Sequence, residues 1–305
     1  MCAKISECVT VTAYFKRPSS KHSHNNYLMW MQNMLCNIQS TLVIFTDAET
    51  EPLIRRLREK AGMLEQTIII PTEFEDLLTM SSKYREVWQQ HFSLDPENNI
   101  HTPDLYAIWN EKFNLVRRAK AHIASIPITE SSSYPEYYIW MDIGSFRCRP
   151  GDITKEMIRY WPDRDLVRKR IPGGKASFLL VGEFDDAEKK LIPVQAYPPV
   201  HVPTHVPCPV SYITEKDLKY KMKSIGGTFV LPTSCVDVWC DRFYSTLDAF
   251  ISYGRFAGKD QNIMSSMALA FEGDVHLIRP GCVGQYDLWF YLHIYLHPVT
   301  KHEDT

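Results

Sequence analysis

The most informative pattern in this sequence is a carboxylate placed just after a buried strand and followed by a glycine. Tyr137 to Met141 (YYIWM) is a continuous apolar run, and it ends directly in Asp142-Ile143-Gly144. A carboxylate there offers hard oxygen ligands to a divalent cation of the Mg²⁺ or Mn²⁺ kind, the sort that bridges a diphosphate, while the glycine lets a ligand approach the main chain. An aspartate that only caps a turn would look the same in isolation. The apolar strand before it, with Arg147 and Arg149 just after, favours the functional reading.

A second group lies in Trp109-Asn110-Glu111-Lys112, which sets an amide, a carboxylate and an ammonium within one helical turn. Lys112 has the reach for a phosphate and Asn110 suits a ribose or sugar hydroxyl, against the plainer picture of a solvated helix face with Trp109 in the core. Asp260-Gln261, after Gly258-Lys259, opens a predicted helix, where an acidic residue is favoured as a cap and by the helix dipole.

The elements that must position these residues follow from periodicity. Glu7 to Phe15 is rich in β-branched and aromatic residues, Thr41 to Phe45 is almost wholly apolar, and Thr67 to Ile70 is a short strand stopped by Pro71. Between them, Asn25 to Ile38 and Glu49 to Ala61 carry helical spacing, so the first third reads β-α-β-α-β. From Phe74 to Ile123 the pattern is mainly helical, broken at Asp95-Pro96-Glu97 and His101-Thr102-Pro103. Strands are then expected at Tyr137 to Met141, Ser177 to Val181, Gly226 to Leu231 and Val275 to Ile278, with helices at Val236 to Tyr253 and Asp260 to Phe271. Such alternation implies an α/β, Rossmann-type fold with a mostly parallel sheet flanked by helices on both faces, and ligands bound beyond the carboxyl ends of the strands. Thr12, Ala13 and Tyr14 on the first strand, with Thr46 and Asp47 on the second, are therefore candidates to hold a base and ribose.

Several stretches together resemble the bacterial HtrL/YibB family: VTAYF (Val11 to Phe15), YLMWMQNML (Tyr27 to Leu35), LVIFTD (Leu42 to Asp47), HTPDLYAIWNEK (His101 to Lys112) and IWMDIGSFR (Ile139 to Arg147). The resemblance implies a GT-A-like nucleotide-diphospho-sugar transferase fold, in which an Asp-x-Asp motif closes the central strand. Here Gly144 replaces the second carboxylate, which leaves a metal to Asp142 and other groups, or leaves the enzyme without one. In such folds a further metal ligand comes late in the chain, which points to His293 or His297; in this aromatic segment each is also a good core histidine. The fold also implies a general base at the start of a late helix, the place of Asp260, and a glycine pair against the sugars, the place of Gly226-Gly227. A bulge or tight packing would equally explain those glycines.

Composition bounds the rest. The 305 residues are 45% apolar and 23% charged, an ordinary globular balance. Lys+Arg 34 against Asp+Glu 36, with no basic block, disfavours nucleic acid. No apolar run reaches the ~18 residues of a membrane span. Gly173-Gly174-Lys175 lacks the rest of a phosphate-binding loop, Cys235 and Cys240 lack a second pair for zinc, and His201 and His205 sit in a proline-rich loop. Mostly reduced thiols, no Asn-x-Ser/Thr and no secretory leader lead to an expected cytoplasmic location, with a lumenal catalytic fragment of an anchored protein as the alternative. The expectation is one GT-A-like domain over 1–305, with a lid or insertion at 192–209. It would move a sugar from a nucleotide-diphosphate donor, UDP-sugar favoured, to a glycan or other hydroxyl acceptor, with Mn²⁺ or Mg²⁺. The alternatives are a sugar-phosphate nucleotidyltransferase and a non-catalytic nucleotide-sugar-binding relative.

Overall fold

Apolar runs buried on both faces become the strands of one seven-stranded sheet. The computed structural model describes residues 4–18, 20–127, 134–149, 153–184, 225–280 and 288–298. The expected lid or insertion at 192–209, with His201 and His205, lies outside the described residues. The strands are β1 (Cys8–Tyr14), β2 (Thr41–Thr46), β3 (Thr67–Pro71), β4 (Tyr137–Trp140), β5 (Ala176–Leu180), β6 (Ile225–Pro232) and β7 (Val275–Ile278). Their order across the sheet is β3-β2-β1-β4-β6-β5-β7. Every strand but β6 runs in one direction. The α/β class and the mostly parallel sheet implied by the sequence are what the chain adopts.

Helices cover both faces. The principal ones are α1 (His24–Leu35), α2 (Glu51–Lys60), α3 (Ser82–Phe92), α4 (Pro103–Ser125), α5 (Lys155–Ile158), α6 (Arg164–Arg170), α7 (Val236–Ser252), α8 (Asp260–Ala270) and α9 (Tyr291–Tyr295). The alternation of β1 shows the division. Val9, Val11 and Ala13 enter the core shared with α4, α7 and α8, whereas Cys8 and Tyr14 enter the one shared with α1, α2 and α9. Among the described residues no helix is long and apolar enough to cross a membrane.

The reversal of β6 matters for the site. Its first residues, not its last, arrive at the carboxyl edge of the parallel strands, where Asp142 leaves β4. One long helix, α4, packs on a face of the sheet through Phe113, Val116 and Ala119 and brings Lys112 to that edge. Its start is fixed by Thr102, whose side chain accepts from the Leu105 N–H, and by Pro103 in the first turn. The break seen at His101-Thr102-Pro103 is thus a helix cap.

Candidate active site

A cavity of about 790 Å³ opens where β1, β4, the start of β6 and the start of α8 meet, the expected place for a ligand in an open α/β sheet. At its floor the Lys112 ammonium is buried between two carboxylates. Its Nζ lies 3.1 Å from Asp142 Oδ1 and 2.8 Å from Asp260 Oδ2, and donates to the Gly227 carbonyl at 3.2 Å. Asp142 also accepts from the Trp140 indole N–H at 2.9 Å. Its side chain is 46% exposed, against 6% for Asp260, so Asp142 faces the cavity while Asp260 sits beneath it.

Burial pushes the Asp260 carboxyl above its usual range; Lys112 pulls it back and the charge of Asp142 adds to the rise. Burial works against the Lys112 ammonium too, but Asp142 and then Asp260 more than offset it, and the ammonium is held above its ordinary value. One cation between two carboxylates leaves a net negative charge. A proton arriving at Asp260 therefore relieves repulsion, which is the electrostatic setting of a general base.

The segment Trp109 to Lys112 supplies this geometry residue by residue. Trp109 lines the cavity. The Asn110 amide is fully buried and donates to the carbonyls of Tyr106, Ala257 and Gly258 at 2.9, 3.1 and 3.3 Å, so it ties the approach to Asp260 onto α4. Glu111 accepts from the N–H groups of Leu78 and Thr79 and from Asn114. Next to Lys112, Phe113 is stacked between Phe229 of β6 and Phe243 of α7, with centroids 4.3 and 4.7 Å away. The lysine direction is set by that stack. Gly258 is needed for the close approach: a Cβ there would meet the Phe256 ring at 2.6 Å.

A divalent ion at Asp142, as in an Asp-x-Asp site, does not fit these residues. Lys112 occupies the space between the carboxylates, and a Cβ at Gly144 would lie 3.1 Å from Trp30 and 3.3 Å from Tyr27, so a second acid there would press on both rings. His293 and His297, the candidate late ligands, are outside the cavity lining. His293 is a core histidine, stacked on Phe146 at 4.0 Å, with Nε2 3.3 Å from Met141 Sδ. Burial brings its pKa down to about 3. His297 is buried as well, and its pKa is lowered, first by burial.

The remaining sequence candidates divide in two. Ala13, Tyr14, Gly144, Gly227 and Gln261 line the cavity. Thr12, Thr46, Asp47, Asn110 and Gly226 do not. The Thr46 hydroxyl donates to the Tyr14 carbonyl, and Asp47 accepts from the N–H groups of Lys16 and Thr50; both brace the strand ends. Gly226 faces Leu179 and Val181, while a Cβ on Gly227 would lie 3.0 Å from the Lys112 ammonium.

Two features were not anticipated. The loop after β1 forms part of the cavity wall, bringing Lys21 beside Arg147 and Lys259, and Arg147 lies over the Trp30 and Phe290 rings at 4.4 and 4.9 Å. Asp95, Glu97 and His101 also form a cluster whose ligand atoms lie within 4.8 Å, a group that could hold a divalent ion. Lys259 is already paired there, 3.8 Å from Asp95 and in contact with Glu97. The acid-x-acid spacing with a histidine four residues on was the available signal, hidden by the helix break it also makes.

A mostly parallel α/β sheet with a charged cavity at its carboxyl edge is the architecture of a protein that binds a ligand beyond its strand ends. The chain belongs to the family described as "Bacterial protein of unknown function (HtrL_YibB)", which matches residues 7–186. Among solved structures it is similar to mouse xyloside xylosyltransferase 1 in its apo form, at 10% identity and TM-score 0.41, over 93% of this chain and 92% of that one. It is also similar to 4-diphosphocytidyl-2C-methyl-D-erythritol synthase of Anaerococcus prevotii, at 10% identity and TM-score 0.35, over 96% of each chain. No curated protein matches the sequence.

Proposed function

We propose that this chain is a GT-A-like glycosyltransferase, acting as one domain, that moves a sugar from a nucleoside-diphosphate donor, UDP-sugars first, to a hydroxyl acceptor. The observation that carries the reading is Asp260, a buried carboxylate at the cavity floor, one ammonium away from the cavity-facing Asp142. In the reaction the acceptor oxygen bonds to the anomeric carbon as that carbon's bond to the diphosphate oxygen breaks. Asp260 takes the acceptor proton, and the nucleoside diphosphate leaves with the bonding electrons. Lys21 and Arg147 at the wall supply positive charge for the diphosphate, and Tyr14, Tyr27 and Trp30 give aromatic surface for base and sugar.

The test is a panel of nucleotide sugars incubated with the protein and simple glycan acceptors. Release of free nucleoside diphosphate supports the transferase. Pyrophosphate formed from a sugar phosphate and a nucleoside triphosphate would instead identify a nucleotidyltransferase, and binding with no turnover a sugar-binding relative.

A further inference from the structure

We infer that the Lys112 ammonium is a built-in substitute for the divalent cation, so that donor binding and turnover at this centre need no metal. The inference rests on the proposed nucleotide-sugar site and adds how its charge is arranged. An ammonium has three protons to donate, and Lys112 has oxygens of three residues around it from three separate elements: Asp142 after β4, with Oδ1 at 3.1 and Oδ2 at 3.5 Å, Gly227 of β6 and Asp260 of α8. Two carboxylates and a carbonyl are a donor set that a hard cation would also take. The spacing decides between them. The nearest oxygens of the three stand 2.8, 3.1 and 3.2 Å from Nζ, hydrogen-bond lengths, whereas Mg²⁺ needs about 2.0–2.1 Å and near-octahedral order.

Two further observations point the same way. Gly227 leaves the ammonium its place, because a Cβ there would lie 3.0 Å from it. Gly144 removes the acid that would complete a metal pair, and Trp30 and Tyr27 occupy the space beside it. The Lys112 cation is taken up by the two acids, so the charge facing the diphosphate comes from the cavity wall, which Arg147 and Lys21 line beside Lys259, itself paired with Asp95 and Glu97. Lys21 shows their proximity. Its ammonium is held below the ordinary range by partial desolvation first, against the pull of Glu97, with Lys259 and Arg147 pushing it further down.

The experiment uses Mn²⁺ alone and UDP as separate probes on the full chain. In wild type, Mn²⁺ binding followed by electron paramagnetic resonance should be unchanged by Asp142→Asn, since an ion taken up at Asp95, Glu97 and His101, although on the wall of the same cavity, has no ligand from Asp142. UDP affinity should be the same, within about twofold, in excess EDTA and in Mn²⁺. Lys112→Ala should create a new Mn²⁺ site, abolished by adding Asp142→Asn. Mn²⁺ bound by wild type and lost on Asp142→Asn, with UDP affinity rising tenfold or more (~1.4 kcal/mol) on adding the ion, would overturn the inference. That result needs only the half-exposed Asp142 position, so it holds even if Lys112→Ala does not fold. Failure of UDP to bind under any condition would remove the nucleotide-sugar reading, and the Mn²⁺ arms would still decide whether lysine fills the cation position.

Discussion

Two lysines of this chain sit among carboxylates a few residues of fold apart, and the acids they meet behave in opposite ways. Lys259 pairs with Asp95 and Glu97, and the next residue, Asp260, pairs with Lys112. Asp95 and Asp260 are both buried acids beside an ammonium. Burial would raise Asp95, but hydrogen bonds from His101, Tyr106 and the Glu97 N–H, with Lys259, bring it down to about 2. Asp260, with Lys112 and the Gln261 N–H as its compensating partners, is raised instead. Burial alone does not decide whether an acid is firmly ionised or ready for a proton. The number of hydrogen-bond donors and the presence of a second acid nearby do.

The largest effect expected from this contrast is on turnover. Asp260→Asn should lower the rate by roughly 10²–10⁴ while UDP affinity holds, because an amide cannot accept the acceptor's proton; the melting temperature should fall with the loss of the buried pair to Lys112. Near-normal turnover in an assay that works for wild type would end its role as base. The rate should also rise with pH through a value above the ordinary carboxylate range, reflecting the raised Asp260.

Asp95→Asn should show the reverse pattern. It removes a charge that three donors and Lys259 are built around, and urea unfolding should show a loss of about 1–3 kcal/mol. Donor affinity in the folded fraction should change little.

Acid titration separates Asp95 from a third buried group, His293. Asp95 has a folded pKa of about 2, below its ordinary 3.8, so its contribution is complete above 3.8 and is lost as pH falls through 2. His293 is depressed from 6.5 to about 3, so the unfolded chain binds its proton first and stability falls as pH drops below 6.5. Between pH 6 and about 4 His293 therefore contributes to the slope, along with the other lowered histidines His22, His91, His276 and His297, whereas Asp95 does not. His293→Phe should flatten that part of a melting-temperature profile, and an unchanged slope would refute the assignment.

The smallest effect is at Gly227. Gly227→Ala places a methyl 3.0 Å from the Lys112 ammonium, and a shift of a few tenths of an ångström should weaken the Lys112–Asp260 pair. A cost under ~1 kcal/mol, with a raised pH midpoint for turnover because Lys112 no longer pulls the Asp260 carboxyl down as strongly, would tie the glycine to the charge cluster. A purely steric role would leave that midpoint unmoved.

Much of this frame was legible in the sequence. All seven described strands correspond to mainly apolar or β-branched runs; the central ones are buried along their length, while β3 and β7 at the sheet edges are only half-buried. Asp142, Lys112 and Asp260 were each marked by local context: a strand end, a helical turn, a helix start. What local context could not give was their meeting, since that depends on β6 running against its neighbours. Asn110 shows the limit from the other side. Its polar side chain suggested a sugar contact, but carbonyls from Ala257 and Gly258, distant in sequence, take up its donors. His293 failed as a ligand candidate for a similar reason: its ring lies flat against Phe146, a neighbour that no i, i+4 spacing reveals.

The direction of β6 also has a consequence for the order in which this protein is made. Lys112 and Asp142 fall within residues 7–186, the portion matched by the family, whereas Gly227 and Asp260 come after it. A chain growing from the ribosome therefore carries a lysine and one acid long before their remaining partners exist. Loop closure must be met before such distant pairings reward it, so β1 to β4 have the means to assemble early and the reversed strand joins afterwards. The charge cluster is complete only once β6 and the start of α8 have been made and docked, so protection of the Lys112–Asp260 pair from solvent reports their arrival.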